Sequence, residues 1–208
     1  MNKQPSHTLH LSDEELHPIA LADLLAFGVA PQSLSKMLRE FCCAKEKDAV
    51  RFIHKKAIDY ETNNKAETVL YLCCSADAIN RLHIYHDVDG ISLAGYFALA
   101  PALSDYEEEE VAGILIAQLA RDDRWGGNGE GNGHPFFDGA RMLYDAEKLA
   151  ISMAKRIYGY PGREPEATTL YLDCKKGMCR YYERHGYDRL FYDKPIRRVK
   201  MFKRVAII

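Results

Sequence analysis

The sequence has almost no net charge and no long apolar run. Among its 208 residues, 28 lysines and arginines nearly balance 30 aspartates and glutamates, which leaves a formal charge of −2. This balance argues against a generally basic nucleic-acid binder. The longest apolar stretch, residues 91–103, contains Ser92 and Pro101 and is shorter than the roughly 18 residues of a membrane span. Residues 1–7 are polar and lack a signal-peptide core, so we expect a cytoplasmic protein with no membrane partner.

Cysteines and histidines are too few and too irregularly spaced for a disulfide framework or a metal site. The six cysteines include no Cys-x-x-Cys pair, and a chain of this length does not need covalent staples. We therefore expect reduced thiols. His83 and His86 lie three residues apart, in a region predicted as loop or strand, but no second pair of ligands accompanies them. The sequence predicts no metal.

Several catalytic motifs are also absent. There is no Gly-x-x-x-x-Gly-Lys motif, which excludes the P-loop nucleotide hydrolases. No Gly-x-Gly-x-x-Gly fingerprint is present, which argues against a dinucleotide-dependent enzyme. A serine nucleophile elbow is missing as well.

The pattern of apolar residues predicts an α/β (α+β) protein with a mixed sheet. A capping-box pattern that begins at Ser12 predicts a helix over residues 12–27, which Gly28 ends. One further helix is predicted to begin at residue 33, two to cover residues 49–63 and 142–157, and a short one to end at residue 184. Strands are predicted over residues 68–72, 91–99, 111–119, 168–174, 190–192 and 196–208. We expect one domain, residues 1–208, with a helical part over 12–63 and a sheet core over 68–208.

The charges are unevenly distributed along the chain. From Lys175 onward there are 11 basic and 3 acidic residues, a net charge of +8, so residues 1–174 carry −10. Such a basic segment is suited to RNA, because phosphate neutralisation drives RNA binding. An alternative is a basic edge strand, in which Arg198 and Lys200 prevent pairing between molecules.

The strongest local signal is a buried strand followed by a glycine-dense loop and a helix. Residues 111–119 are almost continuously apolar, and glycine alternates with other residues over 127–133. Backbone N–H groups at such a helix start favour phosphate binding, and glycine permits close approach. A surface hairpin that binds nothing is the alternative interpretation, since Gly and Asn also form ordinary turns.

Three stretches together resemble the GCN5-related N-acetyltransferase (GNAT) superfamily. Residues 124–129, Arg-Trp-Gly-Gly-Asn-Gly, are similar to its Arg/Gln-x-x-Gly-x-Gly acyl-CoA motif. Residues 170–174 and 179–187 resemble its late strand and the Phe-Tyr-Glu-x-x-Gly-Phe helix end, and Gly95-Tyr96 resembles the strand before the acyl-CoA strand. The three matches follow family order over roughly residues 68–192, which makes them more specific together than singly.

The resemblance implies a GNAT-like fold with extra N-terminal helices and a site for acetyl-CoA. The family motif can be aligned with Arg124, Gly127 and Gly129, and this alignment keeps a cation at the first position. Shifted by two places, it aligns with Gly126, Gly129 and Gly131, and glycine then replaces the cation. The cofactor-binding residues that it implies are Leu119, Ala120, Arg121, Arg124, Gly126, Gly127, Asn128, Gly129 and Gly131. For the two arginines the alternative is a solvated turn with Asp122 and Asp123.

Tyr182 matches the family tyrosine that lies near the thiol, which implies a catalytic role. A phenol is suited to protonating the departing thiolate of CoA, whereas core packing is the alternative. Tyr181 lies about 100° away around the helix and is expected to pack. The base is not identified: Glu107, Glu108, Glu109 and Glu110 are candidates, although an acidic run is usually solvated, and water is equally suitable.

We therefore expect an acetyl-CoA-dependent N-acetyltransferase in which an acceptor amine attacks the thioester directly. Toxin-like members of the superfamily acetylate aminoacyl-tRNA, so charged tRNA is one expected acceptor and a protein amine is the other. The resemblance also allows an antitoxin or homodimer partner. The competing hypothesis is a non-catalytic GNAT-fold module that binds nucleic acid or a partner protein.

Overall fold

The fold is built on one mixed sheet of seven strands. The computed structural model describes residues 14–106, 109–125, 137–159 and 167–207. The strands are β1 (Glu14–Ala20), β2 (Glu67–Ser75), β3 (Ser92–Tyr106), β4 (Glu109–Arg121), β5 (Ala167–Cys174), β6 (Asp188–Asp193) and β7 (Arg198–Ala206). Their order across the sheet is β1-β2-β3-β4-β5-β7-β6. Every neighbouring pair is antiparallel except β4 and β5, which are parallel.

Helices cover both faces of the sheet. They are α1 (Leu21–Ala26), α2 (Pro31–Leu38), α3 (Lys47–Lys55), α4 (Ala57–Thr62), α5 (Ala76–Tyr85), α6 (Gly139–Tyr158) and α7 (Cys179–Arg184). Helices α1 to α5 bury their apolar side chains against one face, where Tyr96 is a central residue. Helices α6 and α7 cover the other face, where Ile114, Leu170 and Met153 pack together. The parallel β4–β5 pair is connected through α6, as expected when two parallel strands need a long crossover.

The prediction of an α/β protein with a mixed sheet is confirmed. The apolar run at 111–119 forms the central strand β4, and the stripe over 142–157 forms α6, which ends before Gly159. The predicted helix over 49–63 is divided into α3 and α4 at Lys56.

The predicted helix over residues 12–27 is wrong for its first part. Residues Glu14–Ala20 form the edge strand β1, and helix begins only at Leu21. Pro18 lies in the middle of this strand, opposite Tyr71. Proline disrupts a helix interior but is tolerated in an edge strand, where its missing N–H costs no ladder bond. The capping-box pattern was therefore a weaker signal than the proline.

Residues around His83 and His86 are helical, which corrects the expected loop or strand. Helix α5 begins after Ser75, whose hydroxyl accepts a hydrogen bond from the Ala78 N–H at 3.3 Å. It ends at Tyr85, and the capping residue that follows, His86, has a left-handed conformation with φ of 57°. The ring of His83 packs edge-on against Phe27 with centroids 5.9 Å apart. Both histidines thus belong to the end of a helix.

Gly113 allows the closest approach between β4 and β5. A Cβ at this position would lie 2.1 Å from the carbonyl oxygen of Thr169 and 2.7 Å from the ring of Tyr171. Because the carbonyl belongs to the neighbouring strand, a side chain at residue 113 must push the two strands apart. The short parallel contact of β4 with β5 therefore depends on glycine.

We expect Gly113→Ala to destabilise the protein by about 1–3 kcal/mol through overpacking. Gly177→Ala is the matched control, because a Cβ there meets no atom within 4 Å and φ is not positive. Chemical denaturation of both variants measures the difference. Equal stability of the two variants would contradict this account of the strand contact.

Candidate active site

Strands β4 and β5 separate after a short parallel contact. Only four residue pairs join them, from Gly113 with Thr169 to Ile116 with Leu172. β4 then continues to Arg121 alongside β3, while β5 continues to Cys174 alongside β7. We call the space between the diverging strands the β4–β5 fork.

A bulge in β4 lies where the fork opens. Leu99 on β3 is opposite Ile116, whereas the preceding Ala98 is opposite Gln118, so Ala117 is the extra residue. A bulge bends its strand and increases the local twist. Beyond Ile116, the edge of β4 that faces away from β3 has no strand partner among the described residues. Its backbone N–H and C=O groups are thus available to a ligand.

A cavity of about 360 Å³ occupies the fork. One wall is β4 from Ile116 to Leu119, and the opposite wall is β5 from Leu172 to Cys174. Tyr182 of α7 closes one side, and the start of α3 with Arg198 of β7 closes another. This volume lies within the range of small-molecule sites.

Leu119 and Tyr182 line the same cavity. The phenol is half-buried and packs edge-on against Tyr181 and Tyr187, with centroids 5.1 and 5.9 Å away. Burial raises the pKa of Tyr182, and Cys174, Tyr181 and Glu46 raise it further. The phenol therefore keeps its proton at neutral pH and can act as a proton donor.

Charged residues of the cavity come from distant parts of the chain. Glu46 binds Lys175 at 2.8 Å and Arg198 at 3.3 Å, and Arg198 also lies 3.6 Å from Asp48. Asp173 also lines the cavity. The lining therefore has three carboxylates and two cations, which gives it a net charge of −1. Such a lining favours a positively charged amine. Sequence reasoning missed this group, because only the fold brings residues 46, 175 and 198 together.

Asp173 has a different environment from the other lining carboxylates. Asp173 is itself exposed at the rim of the cavity, but partial desolvation raises its pKa and the nearby Asp193 adds to the effect, whereas Lys200 and Arg198 oppose it. The predicted base candidates Glu109 and Glu110 are the first residues of β4. Glu110 precedes Ile116 by six residues, about 20 Å along an extended strand. Glu107 and Glu108 lie outside the described residues.

The end of β4 is anchored by a buried carboxylate. Asp122 is fully buried, and its oxygens accept hydrogen bonds from the backbone N–H groups of Cys42 at 2.7 Å and Arg124 at 2.9 Å. The Arg124 guanidinium binds the same carboxylate through two nitrogens, at 2.8 and 3.0 Å. Asp123 adds a 2.7 Å bond from the Ala44 N–H. The Asp122 anchor thus ties β4 to the segment between α2 and α3.

The predicted cofactor-binding residues are only partly described. Gly126, Gly127, Asn128, Gly129 and Gly131 lie outside the described residues. Ala120 is buried at the end of β4, and Arg121 donates a 3.0 Å hydrogen bond to the carbonyl of Phe137. The guanidinium of Arg124 binds Asp122, which is fully buried and therefore not part of a solvated turn.

Tyr181 packs beside the start of α6. Its ring centroid lies 4.7 Å from that of His185, and its hydroxyl would be 3.1 Å from a Cβ on Gly139. The hydroxyl is buried without a hydrogen-bond partner in the described part of the chain. Tyr181 therefore packs, as expected, but it also brings an unsatisfied donor close to the segment after the glycine loop.

None of the six cysteines, all of which lie in the described ranges, forms a disulfide bond. Cys174 and Cys179 are buried, with sulfurs 3.7 Å apart. Burial, followed by its neighbour Cys179, raises the pKa of Cys174 to about 12. Because the thiolate is the nucleophile, this environment does not favour an acyl-carrying cysteine.

The described ranges contain neither a metal-ligand cluster nor a helix that could span a membrane. No group of three or more histidine, cysteine or acidic side chains converges there on a possible metal position. None of the described helices is long and apolar enough to cross a membrane.

Solved structures of bacterial toxins share this architecture. A variant of the AtaT toxin with tyrosine replaced by phenylalanine, bound to the C-terminus of the antitoxin AtaR and acetyl-CoA, matches with a TM-score of 0.58 and 13% identity, over 92% of this chain and 93% of that one. AtaT complexed with acetyl-methionyl-tRNAfMet matches with a TM-score of 0.58 and 12% identity, over 90% and 94%. A similar variant of KacT matches with a TM-score of 0.58 and 13% identity, over 91% and 95%.

The fold is shared with these toxins. The GNAT-like fold that the sequence motifs implied is therefore confirmed. No family model and no curated protein matches the sequence significantly. At this low identity the structural likeness establishes the fold, and the chemistry must be argued from the fork.

Proposed function

We propose that this protein transfers the acetyl group of acetyl-CoA to the amine of an aminoacyl-tRNA. The observation that carries the proposal is the β4–β5 fork, in which an unpartnered strand edge and Tyr182 line the same cavity. The toxin-like neighbours, bound to acetyl-CoA or to acetyl-methionyl-tRNAfMet, support this choice of donor and acceptor.

The fork is suited to hold the thioester. The pantetheine arm would lie along the exposed edge of β4. Because successive N–H groups of a strand point to opposite edges, only alternate residues among 119–121 offer a hydrogen-bond donor there to the carbonyl oxygen as negative charge develops on it. The phosphates would lie toward the segment that follows β4, near Arg121. The buried hydroxyl of Tyr181, which has no partner in the described part of the chain, offers a further donor at the start of α6.

The reaction is then a direct transfer. The acceptor nitrogen attacks the thioester carbon and forms the new C–N bond, and the C–S bond breaks. Tyr182 gives its proton to the departing sulfur, which yields CoA as the free thiol. An amine that binds as the ammonium ion first gives one proton to a base, because only the neutral amine has the lone pair that attacks. The nitrogen loses a second proton as the C–N bond forms. One of these two protons restores Tyr182, and the other passes to water.

We assign the uptake of the amine proton to Asp173. It lines the fork, and its raised pKa brings it closer to neutral pH than an ordinary aspartate. Since the protonated acid cannot accept a proton, the wild-type rate should fall as the pH drops through this raised pKa. Asp173→Asn should lower kcat and remove that decline from the pH–rate profile. An unaltered profile would exclude Asp173 as the base.

Partners and compartment follow from the same proposal. An enzyme that acts on charged tRNA works in the cytoplasm. The bound antitoxin segment in the AtaT structure motivates an antitoxin partner for this chain as well. A homodimer remains the other predicted assembly.

Acetyl transfer with radiolabelled acetyl-CoA tests the proposed function. Charged tRNA, a lysine-containing peptide and a small amine are offered separately, and label in the aminoacyl group of the tRNA is the expected result. Label only in the peptide would replace the acceptor by a protein amine. Binding of acetyl-CoA without transfer to any acceptor would favour the non-catalytic module.

A further inference from the structure

A second cavity adjoins the fork on the side of α3 and α4. It has a volume of about 320 Å³ and shares Asp48, Ala117 and Gln118 with the lining of the fork. Its far wall is formed by Arg51, Lys56, Tyr60 and Lys65, and we call this space the Tyr60 cleft. A ligand in the fork can therefore extend into the cleft without leaving the surface.

The Tyr60 cleft combines an aromatic ring with surrounding cations. The ammonium of Lys65 lies 5.3 Å from the ring centroid and that of Lys56 lies 5.8 Å from it. Both lysines are tied to Tyr60 by backbone bonds, because its N–H donates to the Lys56 carbonyl and its carbonyl accepts from the Lys65 N–H, each at 2.8 Å. The chain thus holds the two cations close to the ring.

The ring itself is supported by the core. Phe52 packs edge-on against Tyr60 with centroids 5.6 Å apart, and Phe52 in turn stacks on the buried Tyr96. Arg51, Lys56 and Lys65 are all exposed. Arg51 pairs with Asp48 at 3.7 Å and Lys65 pairs with Asp59 at 3.5 Å, and both ion pairs are exposed as well. Such pairs are weak and leave the cations available to a ligand.

The two cavities have opposite excess charge. Three cations and one carboxylate line the Tyr60 cleft, whereas the fork has one carboxylate in excess. The nine residues of α3 span about 13 Å, so Lys56 lies about one helix length from Glu46. An aminoacylated RNA end carries an amine and phosphates in one molecule and matches this arrangement.

The basic C-terminal segment offers a poorer phosphate site than its sequence suggests. Lys175 and Arg198 bind Glu46, and the ammonium of Lys203 lies 2.9 Å from a carboxylate oxygen of Glu147. Part of the +8 charge is therefore neutralised by the acidic body of the same chain.

We propose that the Tyr60 cleft binds the terminal nucleotides of an RNA acceptor. Lys56, Lys65 and Arg51 contact backbone phosphates, and a base stacks on Tyr60, the combination by which single-stranded nucleic acid is commonly bound. This inference rests on the proposed function, because it assigns the acceptor side of the same site.

The test measures RNA binding without the donor. The probe is an uncharged, fluorescein-labelled RNA hairpin with a single-stranded CCA end at its 3′ terminus, and its affinity is followed by fluorescence anisotropy at several salt concentrations. Tyr60→Ala should weaken binding by about 5- to 100-fold, while Tyr60→Phe, which keeps the ring, should retain most of the affinity. The slope of log affinity against log salt concentration should become shallower by about 1.4 in the Lys56→Gln/Lys65→Gln variant, because two phosphate contacts of a single strand are lost.

A matched control separates the cleft from the overall charge. Lys176→Gln/Arg184→Gln removes the same charge from two exposed residues of the C-terminal segment and should leave the affinity nearly unchanged. An equal loss in this control would overturn the proposal. All variants substitute partly or fully exposed side chains, and their melting temperatures verify that each is folded.

The phosphates of CoA are the other groups that the cations of the Tyr60 cleft can bind. If cleft variants lose the thermal stabilisation by acetyl-CoA and keep RNA affinity, the cleft belongs to the donor and the proposal is wrong. If the cleft variants lose only acetyl transfer to a lysine peptide, the Tyr60 cleft binds a protein acceptor, and the proposal is wrong in this case too. Failure of the wild type to bind acetyl-CoA would reject the proposed function instead, since the RNA measurement does not use the donor.

Discussion

Asp122→Ala is expected to lower the free energy of unfolding by about 3–5 kcal/mol, the cost of removing one partner from a buried ion pair. Asp122 is fully buried, and its loss leaves two backbone N–H groups, of Cys42 and Arg124, and the Arg124 guanidinium without their acceptor. Arg124 is partly exposed, and water satisfies it in part, so the lower end of this range is the firmer expectation.

Asp123→Ala is the matched control for the anchor. This neighbouring carboxylate is exposed and accepts one bond, from the Ala44 N–H, so its loss should cost only about 0.5–1.5 kcal/mol. Denaturant unfolding of both variants gives the comparison. Similar stabilities would show that the Asp122 anchor does not hold β4 to the segment between α2 and α3.

Tyr182→Phe is expected to lower kcat by roughly 10²- to 10⁴-fold, the usual contribution of a positioned general acid. The affinity for acetyl-CoA should change little, because the ring and its contacts with Tyr181 and Tyr187 remain. Burial raises the pKa of Tyr182, so the phenol remains protonated and its ionisation should not reduce the wild-type rate between about pH 7 and pH 9.

Tyr181→Phe serves as the control for Tyr182, because it removes the neighbouring hydroxyl, which lies beside the start of α6. Its effect should fall mainly on the affinity for acetyl-CoA. Steady-state kinetics together with direct binding measurements distinguish the two tyrosines. Unchanged turnover in Tyr182→Phe would remove this residue from the mechanism.

Much of the fold was predictable because local pattern and tertiary role agree. The apolar run that forms β4 and the apolar stripe of α6 are each buried as their periodicities indicate. The local sequence does not reveal the first strand, because its capping pattern favours a helix and the place of Pro18 in an edge strand depends on pairing with β2. Helix α5 has no clear apolar stripe in its sequence, because only Ala78 and Leu82 are buried whereas Ile84 and Tyr85 are exposed.

The sequence predicts a strand and a tyrosine for the site, but it does not predict the shape of the cavity that they line. The fork depends on one extra residue, Ala117, in the pairing between β3 and β4, and nothing in the local sequence marks that bulge. The contacts of Glu46 with Lys175 and Arg198 join residues more than 120 positions apart. The sequence showed that the chain has an acidic body and a basic segment, and the structure shows that the two meet at the cavity.

The most direct test of the central claim is thermal unfolding with and without acetyl-CoA. At about 100 times its dissociation constant the ligand should add about 2.7 kcal/mol, which raises the melting temperature by about 5–10 °C for a chain of this size. Ala117→Trp, whose indole would occupy the fork, should abolish the increase. No increase in the wild-type protein at saturating acetyl-CoA would contradict the assignment of the β4–β5 fork as the donor site.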